Sequence, residues 1–283
     1  MTQPTIEMTE ATDGTPLAMY DYGGDGVPVL FVHATGFCAP TWAPVVEHLR
    51  GVHAVALDVR YHGRSGRGPD DGFSWDVVAD DVATAVDHFG LEAAVGVGHS
   101  MGGALLVLTE AARPGTFRGI WGYEPIIFPP EIAALADDAE NPLAAGAARR
   151  RATFESRAAA RANFASKPPM SNFAPAALDA YLDGGFATGE DGVVTLRCAP
   201  ADESRFYLMG SRHEGWDRLP DLHCPVWVAV GNEGFGPAAM APEIAARLAH
   251  GRLVEHPTLA HFGPMQDPSA IAAELEVFLA TLG

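Results

Sequence analysis

Short apolar runs alternate with stretches of helical periodicity along the first part of this chain. Val27 to Val32 is a continuous apolar run of strand length, and His53 to Asp58 is another. Between them Trp42 to Leu49 has the composition of a helix. After Ser74, a suitable N-cap, Val78, Val82, Val86 and Phe89 recur at helical spacing until Gly90 stops them. Ala93 to Val97 predicts a buried strand and is followed by an alanine- and leucine-rich helix ended by Arg113-Pro114-Gly115. Gly119 to Glu124 predicts a further strand. Strands that alternate with helices in this way imply a parallel sheet covered by helices on both faces, an α/β fold.

From Pro125 to about Leu219 the pattern changes. Strand-like runs disappear, alanine and arginine dominate Leu143 to Arg161, and Pro168-Pro169 and Gly184-Gly185 punctuate the stretch. This reads as a helical insertion. Alternation resumes with Pro225 to Val230 and with Arg252 to His256 as a last strand. Asp267-Pro268 caps a closing helix whose buried face is Ile271, Leu275, Phe278, Leu279 and Leu282. The expected division is a core of residues 1–124 and 220–283, with a helical cap over 125–219.

Charge and composition narrow the function classes. A formal net charge of −18 on 283 residues argues against nucleic acid or an anionic membrane as a partner. Met1 to Gly14 is polar and acidic and lacks the basic and apolar regions of a secretory signal. No stretch approaches the roughly 18 consecutive apolar residues of a membrane span. Cys38, Cys198 and Cys224 are odd in number and far apart, so they suggest neither a disulfide framework nor a zinc site. A cytoplasmic protein is the expectation. No phosphate loop, metal cluster or dinucleotide fingerprint calls for a cofactor.

Candidate chemistry centres on Gly98-His99-Ser100-Met101-Gly102, a G-x-S-x-G placed between a strand and a helix. That context is a nucleophile elbow, a turn so tight that the neighbours of the serine must be small. Ser100 would stand at a helix N-terminus, where free N–H groups favour developing negative charge.

Several motifs then fall in one order, and together they resemble the α/β-hydrolase superfamily over essentially the whole chain. His33-Ala34-Thr35-Gly36-Phe37 is similar to its H-G-x motif after the third strand, with Ala34 in place of the usual glycine. Asp58 to Ser65 resembles its D-x-R-G-H-G-x-S turn, and Ala260-His261-Phe262-Gly263-Pro264 its histidine loop. The resemblance implies Ser100 as nucleophile and His261 as general base, with an oxyanion hole from the backbone N–H groups of Met101 and Thr35. His33, His62, Asp58 and Arg60 are expected to be scaffolding, and His99 to point away from Ser100.

The acid departs from the commoner pattern, in which an Asp follows the seventh strand. Gly234 fills that slot here, with Glu233 one residue away. Haloalkane dehalogenases and zearalenone lactonases instead place a glutamate directly after the sixth strand, where this chain has Glu124 before Pro125. Glu124 is preferred, because a carboxylate between an apolar strand and Pro-Ile-Ile-Phe-Pro-Pro is costly to bury unless it is paired. Glu233 is the alternative.

Ser100 excludes the branches that attack with aspartate. The resemblance therefore implies hydrolysis of a carboxylic ester or lactone through an acyl-enzyme, on an apolar small molecule. Phe128, Phe154, Phe164, Phe173, Tyr181 and Phe186 of the cap suggest an apolar or aromatic pocket, with Phe128 and Phe154 as the candidate substrate-binding residues. Carbon–carbon bond hydrolysis of a diketone-like substrate is one alternative reading; a ligand receptor without catalysis on the same fold is another.

Overall fold

The computed structural model describes residues 3–69, 73–133, 141–210 and 212–283. The expected cap and the polar N-terminal stretch therefore fall partly outside the described residues.

Eight strands form one sheet: β1 (Thr5–Glu10), β2 (Pro16–Asp21), β3 (Val27–Val32), β4 (Val52–Asp58), β5 (Ala94–His99), β6 (Phe117–Tyr123), β10 (Val226–Val230) and β11 (Gly251–Glu255), in the order β1-β2-β4-β3-β5-β6-β10-β11. The run from β4 to β11 is parallel, whereas β1 pairs antiparallel with β2 and β2 antiparallel with β4. Alternation along each central strand feeds two cores. Leu30 and Val32 of β3 join the core under the helices Trp75–Phe89, Met101–Ala112 and Pro237–Arg247, whereas Val29 and Phe31 join the core under Pro268–Thr281. Strands covered on both faces are apolar at every position, which is why these runs were legible.

The β1–β2 hairpin was not expected. Its edge strand carries Ile6 and Met8 among Thr and Glu residues, too polar a run to stand out. The expected Trp42–Leu49 helix shrinks to a 3₁₀ turn at Ala39–Trp42 and one α-turn at Ala43–Val46. By contrast the Ser74 hydroxyl accepts from Val77 N–H at 3.3 Å, and Gly90 closes that helix in the left-handed conformation. Asp267 likewise caps the last helix by accepting from Ala270 N–H at 3.0 Å.

The stretch between β6 and β10 corrects one expectation, because it is not purely helical. Besides Pro142–Ala148, Arg157–Ala165, Pro175–Gly185 and Pro200–Met209 it holds a small antiparallel sheet of β7 (Thr153–Phe154), β8 (Phe186–Thr188) and β9 (Val194–Leu196). Strands of two or three residues are too short to show a period of two. The stretch also has its own apolar cluster, and Ala34, Phe37 and Met265 of the core loops belong to it. Ala174 N–H donates to Met265 O at 2.8 Å, a second tie to the histidine loop. Among the described residues no helix is long and apolar enough to cross a membrane.

Candidate active site

The chain leaves β3, builds β4 on one side of it, and returns to build β5 on the other. Such a reversal opens a crevice beyond the carboxyl ends of the two strands. Thr35 follows β3 and Ser100 follows β5, so the crevice lies between them.

Ser100 adopts φ 53° and ψ −111° at the strand-to-helix turn, a conformation L-residues rarely hold. The turn fits because the positions two residues before and after the serine carry no side chain. A Cβ on Gly98 would lie 2.5 Å from Gly103 N, and one on Gly102 would lie 2.1 Å from Val32 O. Ser100 N–H donates to Tyr123 O at 2.9 Å, which locks the elbow to the end of β6. Met101 begins the helix, so its amide has no intrahelical acceptor. Ala34, in the usual glycine position, is not in the left-handed region; the positive φ falls at Gly36, 78°. The substitution is therefore tolerated without backbone strain.

Glu124 also has a positive φ, 44°, at the end of β6, the strand beside β5. Its side chain is 1% exposed, and both oxygens are paired. Oε2 accepts from His261 Nδ1 at 2.6 Å, and Oε1 accepts from Gly231 N–H at 2.8 Å. The bond to a carboxylate places the imidazole proton on Nδ1 and leaves the Nε2 lone pair free to act as a base. Among the described residues no hydrogen bond joins Ser100 Oγ to His261; such contacts often tighten only with substrate bound. Glu233 is exposed and, among the described residues, pairs with backbone, accepting from His261 N–H at 3.3 Å. Burial between an apolar strand and a proline thus coincides with the pairing that the sequence argument required.

The scaffolding residues hold the loops as expected. His33 donates from Nδ1 to Ala34 O at 2.8 Å and accepts at Nε2 from Val59 N–H at 3.0 Å. His62 donates to Arg60 O at 3.0 Å and accepts from Gly36 N–H at 3.0 Å, fixing the segment after Thr35. Asp58 accepts from Ala39 and Arg64 N–H, each at 2.7 Å. Arg60 pairs with the buried Asp81 at 2.6 Å and with Asp13 at 2.8 Å.

Both nitrogens of His33 and of His62 are used in the neutral form, and burial keeps them neutral. It holds His33 well below the ordinary histidine range and His62 down to about 4; it also lowers His99 and His213. A histidine whose folded pKa is depressed costs stability once the unfolded chain protonates, so the loss begins near pH 6.5 and grows down to the folded value. For His62 alone it reaches about 3 kcal/mol. Burial raises Asp58 and Asp81 to about 6, and those two act in the opposite sense between about pH 6 and 4. With four histidines against two aspartates, the denaturant midpoint is expected to be lower at pH 4.5 than at pH 7. An equal or higher midpoint at pH 4.5 would show that these histidines protonate without cost.

The two aromatic candidates separate. Phe154 is 1% exposed and packs on Phe164 and Phe186 at centroid distances of 5.7 and 6.0 Å, a core position of the inserted stretch. Phe128 is half-buried. The phenylalanine ring beside His261 is that of Phe262, at 5.0 Å, and Phe37 and Phe173 pack on Phe262 at 5.4 and 5.7 Å. Phe173 is one of the cap aromatics that the sequence offers for an apolar pocket, but it lies far from Phe37 and Phe262 in sequence and no local signal sets it apart from the others.

Residues 29–274 match the profile of the alpha/beta hydrolase family. The chain belongs to that family. Curated relatives of this alpha/beta hydrolase include a non-heme haloperoxidase of Rhodococcus erythropolis, 38% identical over 110 residues, which are 38% of this chain and 39% of the relative. A bifunctional esterase/perhydrolase of Acinetobacter calcoaceticus is 38% identical over 105 residues, 36% of this chain and 38% of that one. The matches thus span about two fifths of these relatives' length. Among solved structures, E-2-(acetamidomethylene)succinate hydrolase superposes with a TM-score of 0.78 at 23% identity, covering 98% of this chain and 100% of the other. Peroxisomal alpha-beta-hydrolase Lpx1 of Saccharomyces cerevisiae gives 0.79 at 16% identity, over 99% and 89%. At such identities the likeness establishes the fold.

Proposed function

We propose that this alpha/beta hydrolase is a serine hydrolase that cleaves a carboxylic ester or lactone through an acyl-enzyme. The observation that carries the reading is the 2.6 Å bond between buried Glu124 and His261 Nδ1, in a fold whose elbow presents Ser100. Ser100 Oγ attacks the carbonyl carbon, and His261 Nε2 takes its proton and gives it to the leaving oxygen. Glu124 stabilises the imidazolium that forms between those steps. The amides of Met101 and Thr35 hold the oxyanion as charge develops on the carbonyl oxygen. Water, activated by the same histidine, then releases the acid. The likeness to a bifunctional esterase/perhydrolase of Acinetobacter calcoaceticus supports this reading.

The described residues between 125 and 219 act as a cap in this reading, packed on the loops that carry Thr35 and His261. Phe262 stands beside the histidine and Phe37 and Phe173 pack on it, an apolar surface that suits an apolar acyl or alcohol group; Phe128 is a further candidate for it. The test is a panel of acyl esters, macrolactones and homoserine lactones, with a fluorophosphonate probe mapped by mass spectrometry. Turnover of at least one ester or lactone and modification at Ser100 are expected. Modification elsewhere would overturn the nucleophile. Cleavage confined to diketones, or ligand binding without turnover, would overturn the ester chemistry.

A further inference from the structure

His99 and Tyr123 precede Ser100 and Glu124 in the chain, and they face one another in register on the adjacent parallel strands β5 and β6. Each sends a buried side chain to the loop that carries His261. Tyr123 Oη donates to Ala260 O at 2.8 Å, and His99 Nε2 donates to His261 O at 2.8 Å. Two consecutive carbonyls of the loop are therefore tied to the two strand ends that hold the serine and the glutamate. We propose that His99 and Tyr123 are positioning residues that set His261 relative to Ser100 and Glu124, an inference that rests on the serine hydrolase reading.

Three further observations support it. The loop passes so close to Tyr123 that a Cβ on Gly263 would lie 2.2 Å from Oη, so the contact is built into the loop's path. The His99 ring lies 4.9 Å from the His261 ring and 5.6 Å from Phe262, walling the histidine on the core side. Finally, the carbonyl partner requires the His99 proton to be on Nε2, which leaves Nδ1 a bare acceptor. That atom is buried and has no hydrogen-bond partner among the described residues. A half-satisfied ring is a poor choice for stability, where an aromatic of equal size would serve better. Rules of local satisfaction are broken mainly where function demands it.

The backbone tie matters because catalysis is steep in geometry: a displacement of about 1 Å can cost on the order of 100-fold in rate. The variants are His99→Phe, His99→Gln, Tyr123→Phe and the His99→Phe/Tyr123→Phe pair, in the full-length protein. Phenylalanine keeps each ring and removes its donor, while glutamine restores a donor at about the reach of Nε2. Four readouts are compared: the rate of Ser100 modification by fluorophosphonate, the split between kcat and KM, Tm, and the low-field proton resonance of His261 Nδ1–H. Each single phenylalanine variant is expected to slow modification and kcat by about 10- to 100-fold, with KM changed by less than about threefold and Tm lowered by no more than a few degrees, the cost of one carbonyl without its donor. His99→Gln should recover most of the rate, and the pair should broaden or shift the low-field proton.

Wild-type modification rates and an unaltered proton in all variants would overturn the proposal. So would losses that follow a fall in Tm and are not rescued by glutamine. If Ser100 of the wild type is not modified at all, the serine hydrolase reading fails instead, while the proton resonance still tests whether the two side chains position His261.

Discussion

Ser100→Ala is expected to lower kcat about a million-fold and Glu124→Gln about a thousand- to ten-thousand-fold, with the fold of each variant intact. Glu233→Gln should stay within a few-fold of the wild type. The serine term follows from losing the attacking oxygen. The glutamate term follows from the pairing of its two oxygens. Gly231 N–H already points at Oε1, so the single oxygen of the new amide is drawn there and the NH₂ group faces His261 Nδ1. The imidazole must then accept at Nδ1 and carry its proton on Nε2, a tautomer that cannot take a proton from Ser100. Glu233 meets only the backbone of His261 at 3.3 Å and sets no tautomer. Steady-state kinetics on one substrate and far-UV circular dichroism are sufficient to check the ranking. A Glu233 variant more damaging than the Glu124 variant would move the acid back to the seventh core strand, β10.

The second large effect concerns the backbone of the elbow. Gly102→Ala is expected to destabilise the protein by at least about 4 kcal/mol, or to prevent folding, because its Cβ would meet backbone rather than a flexible side chain. That Cβ would lie 2.1 Å from Val32 O and 2.6 Å from Val32 C, so either β3 or the Met101–Ala112 helix must move. Val32 immediately precedes the His33–Thr35 segment, and any surviving molecules should have lost the placement of the Thr35 amide as well as stability. Gly146→Ala is the control. It lies in the Pro142–Ala148 helix with no atom within 4 Å of the added Cβ, and it should raise stability by about 0.4–1 kcal/mol. Thermal unfolding of the pair decides the matter: a Gly102 variant with the wild-type Tm and kcat would mean that the elbow has room it is not seen to have.

Residues whose environment is local were legible in the chain. β3 matches its expected boundaries because all six of its residues lie between two helical layers and are mainly apolar. The Ser74 and Asp267 caps were readable because a cap is a bond across three residues. The elbow was readable because Gly98, Ser100 and Gly102 answer one steric problem within five positions. Glu124 could be preferred over Glu233 since the apolar residues around it imply burial, and a buried carboxylate must be paired.

What the sequence did not display comes from contacts between distant segments or from elements too short to have a period. β7, β8 and β9 exist only as partners of one another, and two or three residues cannot carry an alternation. Phe154 and Phe173 look alike in sequence and both lie buried in the apolar cluster of the inserted stretch, yet Phe154 packs on Phe164 and Phe186 while Phe173 packs on Phe37 and on Phe262, the neighbour of His261. His99 and Tyr123 act on carbonyls 162 and 137 residues away, joined to them by the register of two strands. By itself, then, the sequence determined the parallel α/β sheet, the strained serine turn and the residue types on which the proposed acyl chemistry rests, since each follows from short-range sterics or from the periodicity of burial. Only the tertiary structure decided which glutamate meets the histidine and what holds that histidine in place, because these depend on how strand ends far apart in the chain are brought side by side.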